Sequence, residues 1–333
     1  RRGVRASLFN DPRVRALVYQ AALVAAVLLA GWYFVSNTVQ NLEARKIASG
    51  FGFLSREAGF EIGEPSLFSY EAADTYLRAL GIGLANTFRV AAIGIVLATA
   101  IGTLIGLARL SHNWLVARLA TAYVEVMRNV PLLVQLFLWY AIIAENLPGP
   151  REAIQALPGV FLSNRGIVFP VIGTWWPLQL EQPVLQGFNF SGGAVLTPEF
   201  AALLFGLVIY TAAFIAEIVR AGVLAVERGQ FEAAQALGLP RRRVIRLVVL
   251  PQALRVIVPP MTSQYLNLTK NSSLAVAIGY PDLVSIANTT MSQTGQSIEG
   301  IAIIMLVYLS ISLSISAFMN WYNRRVALKG THP

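Results

Sequence analysis

Apolar residues dominate six stretches of the chain, at roughly 16–35, 80–108, 116–143, 200–224, 257–281 and 300–321. A helix needs about 20 such residues to cross the hydrocarbon core of a bilayer. The pattern therefore predicts an all-α, polytopic membrane protein of about six transmembrane helices, with both termini on one side. The stretch 257–281 is the least regular, because Pro259 and Pro260 fall at its start and Asn267, Lys270 and Asn271 interrupt its middle. Helices broken in this way are tolerated in membranes where they line protein or a cavity. Two polar intervals separate the apolar ones. The first, about 36–75, carries Glu43, Glu57, Glu61, Glu64, Glu71 and Asp74 and predicts a polar outer loop with a short surface helix. The second, about 144–198, is marked by proline and glycine, and its apolar run at 168–173 is too short to span. A loop of that length is uncommon without a role.

Composition agrees with the membrane class. The 333 residues are 56% hydrophobic and 13% charged, with a mean hydropathy of +0.59, so the polar fraction is too small to cover a soluble domain. The net charge of +9 points to topology rather than to nucleic acid, since Lys and Arg cluster beside the apolar stretches. Arg1, Arg2, Arg5, Arg13 and Arg15, then Arg109 and Arg118, then Arg220 to Arg255, then Arg324, Arg325 and Lys329 occupy one set of ends. The other set holds only Arg45, Lys46, Arg56, Arg151 and Arg165. By the positive-inside rule both termini and the central loop face the cytoplasm, in contact with membrane lipid. Trp32, Trp175 and Trp176 suit an aromatic belt at the interface. The first apolar stretch is too long for a signal peptide, and the opening Arg-Arg-Gly predicts that N-terminal sequence precedes it. Cysteine is absent, and His112 and His332 stand alone, so neither a disulfide framework nor a metal centre is expected.

The most informative polar stretch is Gly229–Ala253, GQFEAAQALGLPRRRVIRLVVLPQA. Glu232, Arg241, Arg242, Arg243 and Arg246 keep it out of hydrocarbon. Glu232 suits the first turn of a short helix, Ala233, Ala234 and Ala236 favour that helix without adding bulk, and Gly238 followed by Pro240 ends it. Phe231, Ala234, Leu237 and Gly238 would share a face at helical spacing, giving a smooth surface that a second protein can approach. An amphipathic helix lying on headgroups is the simpler alternative.

Glu232-Ala233-Ala234, then Gly238, then after nine residues Val248-Val249-Leu250-Pro251 resembles the EAA loop of the membrane-spanning subunits of bacterial ATP-binding-cassette importers. RNVPLLVQ at 128–135, YTAAFIAEIVR at 210–220 and NLTKNSSL at 267–274 are similar to segments of permeases for polar and general L-amino acids. The likeness covers most of 76–322. It leaves 1–75 as an additional helix and outer loop, and 323–333 as a cytoplasmic tail. It implies a coupling helix, with Glu232, Ala233, Ala234, Gly238, Leu250 and Pro251, that docks in a cleft of an ATPase subunit. It also implies ATP and Mg bound by partner subunits rather than by this chain, a second homologous or identical permease, a periplasmic amino-acid-binding protein, and residence in the bacterial inner membrane.

The residues themselves offer no reaction. There is no GxxxxGK[ST] loop, no GxSxG elbow and no HExxH pair, so no catalytic residue is assigned. Charge at membrane depth is costly and is therefore a functional lead. Arg128, near the middle of the third stretch with Pro131 and Gln135 beyond it, Glu217 in the fourth, and Lys270 and Asn271 in the fifth are candidates for the carboxylate and ammonium of a zwitterion crossing the membrane. The alternative role is that Glu217, Arg220 and Lys270 pair among themselves, and that Arg89 snorkels or pairs. A secondary transporter or channel driven by an ion gradient is the competing function. It would be expected to show paired broken helices in two halves, and only one interrupted stretch is present.

Overall fold

The computed structural model describes residues 12–44, 49–65, 68–172 and 180–326. Five helices among these are long and apolar enough to cross a membrane, at Val14–Asn41, Tyr76–Ala108, Pro198–Leu224, Arg241–Ile278 and Ser297–Arg325. The third predicted span differs. It consists of two helices, α3 (Trp114–Asn129) and α4 (Leu132–Tyr140), the latter extended by a π-helical turn, and the pair bends by 102°. Val130 and Pro131 are both extended, as expected where a proline disfavours helix at the residue before it. Arg128 therefore stands in the last turn of α3 rather than mid-span.

The bundle is built around α5 (Pro198–Leu224), with Ala201, Ala202, Leu203, Leu207, Ala212, Ala213, Ile215 and Ala216 all fully enclosed. A helix that is apolar all round belongs in the interior, and α5 has α2 (Tyr76–Ala108), α3, α4 and α8 (Leu250–Asn271) against it. The α2 contact is close because Gly102 and Gly106 face it. A Cβ at Gly102 would stand 2.8 Å from the Ala212 carbonyl oxygen, and one at Gly106 would stand 2.7 Å from that of Ala216. Small residues that let two backbones approach are a general means of helix association in lipid. By contrast none of the side chains described in α1 (Pro12–Ala44) is buried, and Trp32 on it is exposed. It is apolar on every side with little of the chain against it, which suits a lipid environment. Trp175 and Trp176 lie outside the described residues, as do the basic positions Arg1, Arg2, Arg5, Arg45, Lys46 and Lys329.

The interval 144–198 holds more structure than a loop. It forms a four-stranded antiparallel sheet in the order β1 (Ile154–Leu157), β2 (Val160–Ser163), β3 (Gly166–Phe169) and β8 (Ala194–Leu196). Two small pairs complete it, β4 (Val171–Ile172) with β5 (Leu180–Glu181), and β6 (Val184–Gln186) with β7 (Asn189–Ser191). Gly166, at φ +111°, lies where a Cβ would be 2.0 Å from the Leu196 carbonyl oxygen, so the β3–β8 pairing requires glycine there. An all-α reading holds for the membrane bundle, and this insertion is its β exception.

The acidic interval before α2 is not simply solvated. Glu64 is buried; it pairs with Arg89 of α2 at 3.0 Å and accepts a hydrogen bond from the Thr197 hydroxyl, which also caps α5. Arg89 lies 4.3 Å over the Phe200 ring, so it pairs, as one of the two expected roles had it. Burial raises the Glu64 pKa above the usual carboxylate value, outweighing the Thr197 hydrogen bond and the Arg89 charge. Glu64 is thus not part of the polar surface that the exposed Glu57 and Glu61 present. Glu64→Gln is expected to cost about 3 kcal/mol, because a largely buried guanidinium loses its counter-ion. Limited proteolysis within 49–75 should then become faster than in the parent chain.

Candidate functional site

The helix anticipated at Glu232 is α6 (Arg228–Ala236), and it ends as its residues dictate. Gly238 adopts φ +78° and its N–H bonds to Gln235 O at 2.8 Å, while Leu239 N–H bonds to Ala234 O at 3.3 Å. These two bonds make a Schellman cap, which satisfies carbonyls at the helix end and needs the left-handed conformation glycine adopts without strain. Glu232 falls in the second turn rather than the first.

The exposed face of α6 differs from the face anticipated. Ala234 is 5% exposed and turned into the chain, as is Val244 of α7 (Arg241–Val244), while Phe231 is half-buried. What faces outward is Glu232, Ala233, Ala236 and Leu237, the last 83% exposed. The second alanine of the motif is therefore an anchor, and the glutamate and first alanine are the open surface. Beyond Pro240 the chain is again helical. From α7 it continues through a π-helical turn, Ile245–Val249, into α8. Pro251 sits at the start of α8, where its ring would crowd the carbonyl four residues back and no N–H is available; the π turn just before it is the usual kind of accommodation. Leu250 and Pro251 thus belong to the long apolar helix that follows rather than to α6.

A second feature lies at the same end of the bundle. Glu217 of α5 accepts from Arg220 one turn on, at 2.5 Å, and from Arg109, which caps the end of α2. The side chains are 27%, 31% and 12% exposed respectively. The expected pairing of Glu217 with Arg220 is present; Lys270 takes no part in it, and Arg109, read from the sequence only as a topology charge, does. The ion pair fastens α2 to α5 about two turns before α5 ends.

Among the described residues no hydrogen bond or ion pair joins the pathway candidates Arg128, Gln135, Glu217, Lys270 and Asn271 to one another. Gln135 is buried, and its Nε2 donates to Met127 O at 3.0 Å and Val130 O at 3.1 Å. It supplies donors to carbonyls freed by the α3–α4 bend, which is a structural duty. Arg128 is exposed and lies 5.1 Å from the Phe214 ring centroid. Lys270 is exposed in the last turn of α8, below the half-buried Asn271, and with Ser263 and Asn267 forms a polar stripe at spacings of four and three. The buried Asp282, which caps α9 (Leu283–Thr294) ahead of α10 (Ser297–Val326), and α9 itself fall between the apolar stretches at 257–281 and 300–321. The signal was present as Pro281-Asp282 after Gly279, a turn followed by an N-cap.

Known proteins resemble this chain in sequence and fold. Residues 94–328 match the family described as "Binding-protein-dependent transport system inner membrane component". The chain is 48% identical to the "Putative amino-acid ABC transporter permease protein YhdX" of Escherichia coli (strain K12), covering 98% of each chain. It is 44% identical to the "General L-amino acid transport system permease protein AapQ" of Rhizobium johnstonii, covering 97% of this chain and 94% of that one. Among solved structures, one titled "Crystal structure of an amino acid ABC transporter with histidines" aligns with a TM-score of 0.54 at 26% identity, over 75% of this chain and 95% of that chain. A family match over well over half of the chain, relatives alike along nearly all of it and the shared fold lead to one conclusion: this chain belongs to the binding-protein-dependent transport system inner membrane component family and is a multi-pass permease subunit of an ATP-binding-cassette importer.

Proposed function

We propose that this chain forms half of the translocation pathway of an amino-acid importer, completed by a second permease copy or relative. ATP is hydrolysed by partner ATPase subunits that grip α6, and a periplasmic binding protein delivers the solute at the opposite face, with both termini in the cytoplasm. The observation that carries the reading is α6 itself: a capped helix with Glu232, Ala233 and Leu237 uncovered, held to its own chain by Ala234 and Val244. Movement of a gripped α6 reaches the bundle in two ways, through the unbroken helix from Arg241 to Ile278 and through α5, which Glu217 and Arg109 fasten to α2. The amino-acid cargo is supported by the names of the relatives and by the polar stripe Ser263, Asn267 and Lys270, left open on a membrane helix. Such a stripe belongs against water or a partner rather than lipid.

The test is uptake of radiolabelled L-amino acids into proteoliposomes with ATP enclosed. Uptake should require ATP, the ATPase subunit and the loaded binding protein together; uptake driven by an ion gradient alone would reject the proposal. Lys270→Met keeps the apolar stem and deletes the charge. It is expected to lower ATP-driven uptake about tenfold or more, since a hydrogen bond to a charged group contributes ~1.5–3 kcal/mol. Complex assembly, read by size-exclusion chromatography on the same sample, should be unchanged.

A further inference from the structure

The connector between α8 and α9 carries a group that coupling and cargo leave unused. The 3₁₀ turn Ser272–Ile278 ends at Gly279, whose φ of +78° reverses the chain, and Pro281 leads to Asp282 as the N-cap of α9. Asp282 is wholly buried. Its Oδ1 accepts from Ser285 N–H at 2.8 Å, whereas its Oδ2 has no hydrogen-bond partner. The packing around it is tight. A Cβ on Gly83 of α2 would stand 3.0 Å from Asp282 O, and Leu283 N–H donates to Thr87 Oγ1 at 3.1 Å. Across from it the Tyr308 hydroxyl of α10, also without a partner at hydrogen-bond distance, lies among Asp282, Ser272 and Thr87.

A carboxylate oxygen enclosed without a partner is costly, and more so when it carries charge. The groups that face Asp282 offer little compensation. From α10 there is Tyr308; from α2 only the neutral Asn86 and Thr87; from the 3₁₀ turn, Ser272; and within the connector Tyr280, beyond which stand Glu64 and Arg89. Among the described residues Asp282 forms no ion pair. Two states relieve the cost: a proton on the carboxylate, or withdrawal of the connector toward water.

We propose that Asp282 is a proton-binding site that locks the start of α9 between α2 and α10, so that proton uptake seats the connector and proton release loosens the end of the bundle opposite α6. The lock does not depend on which solute is carried. Burial pushes the Asp282 pKa up to about 6, against the backbone N–H groups of α9 and the Tyr308 hydroxyl, which pull it down. Because the folded value lies above that of an unfolded aspartate, near 3.9, the stabilisation is complete below about 4 and is lost as pH rises through about 6. Glu64, also raised by burial, contributes in the same sense and must be separated from it.

The experiment uses the chain in lipid nanodiscs, titrated from pH 8 to pH 5 while infrared absorption of protonated buried carboxyl groups and the Tm are followed. A carboxylic-acid band should grow with a midpoint near pH 6 while the Tm rises. Asp282→Asn, which can still cap α9, should remove that band and flatten its part of the Tm profile. Glu64→Gln should leave it in place. Tyr308→Phe, which removes the neighbouring hydroxyl that favours the ionised form, should move the midpoint to higher pH. An unchanged band in Asp282→Asn, or a transition lost only in Glu64→Gln, overturns the assignment. Should Asp282→Asn fail to fold, an unmoved midpoint in Tyr308→Phe overturns it equally.

Discussion

Ala233→Trp is expected to abolish ATP-driven uptake while leaving the chain folded and in the membrane. Ala233 is exposed on α6, beside Glu232 and Leu237, so an indole there extends from the surface and tryptophan costs the helix only about a few tenths of a kcal/mol. It does fill the space a docking partner needs, and a clash at the centre of a small interface removes more binding than the same change at the rim. Co-purification of the ATPase subunit should fall with uptake, at normal permease yield. Ala234→Trp makes the contrast, since Ala234 is buried; it should unseat α6 and lower the yield itself. Normal uptake and association in Ala233→Trp would remove α6 from the mechanism. The same geometry qualifies what a change at Gly238 tests. A Cβ there meets nothing within 4 Å, but φ is +78°, so a substitution there strains the cap by ~1–2 kcal/mol as well as altering the surface.

Gly102→Leu is expected to yield little or no folded permease. A Cβ at this position would lie 2.7 Å from Ile215 Cβ and 2.8 Å from the Ala212 carbonyl oxygen, and a backbone atom of the central helix cannot rotate away. Overpacking a tight core typically costs ~1–3 kcal/mol, and here the leucine adds three more carbons beyond an already impossible Cβ, so α2 and α5 must separate. Separation would also break the Arg109–Glu217 pair that joins these helices. Gly81→Leu, on the same helix where nothing stands within 4 Å, should behave as the parent. The comparison is read as monodisperse protein recovered in detergent and as Tm. Recovery of Gly102→Leu at the Tm of Gly81→Leu would show that the two helices do not depend on that approach.

The features legible in the sequence are those that need only neighbours in the chain. Spans at 80–108, 200–224 and 300–321 read off as helices because a bilayer demands local backbone hydrogen bonding over about 20 apolar residues. The α6 helix and its cap were equally local, fixed by Ala233, Ala234, Gly238 and Pro240 within ten residues. What the tertiary structure decided is where side chains point once helices meet. Glu64 became a buried partner of Arg89 rather than part of a solvated loop, Glu217 took Arg109 from more than a hundred residues away rather than Lys270, and Ala234 turned inward while Ala233 stayed open. The bend at Pro131 was ambiguous locally, because proline is accommodated in some membrane helices and breaks others; Gln135 and the packing of α4 on α5 settle it. The short strands of 154–196 escaped for a related reason. Two to four residues carry too little alternation to declare a strand, and their stability comes from pairing across turns such as Gly159 and Gly187, and from Gly166 meeting Leu196 thirty residues away. Sequence periodicity records the environment a segment needs, and only packing chooses which distant group provides it.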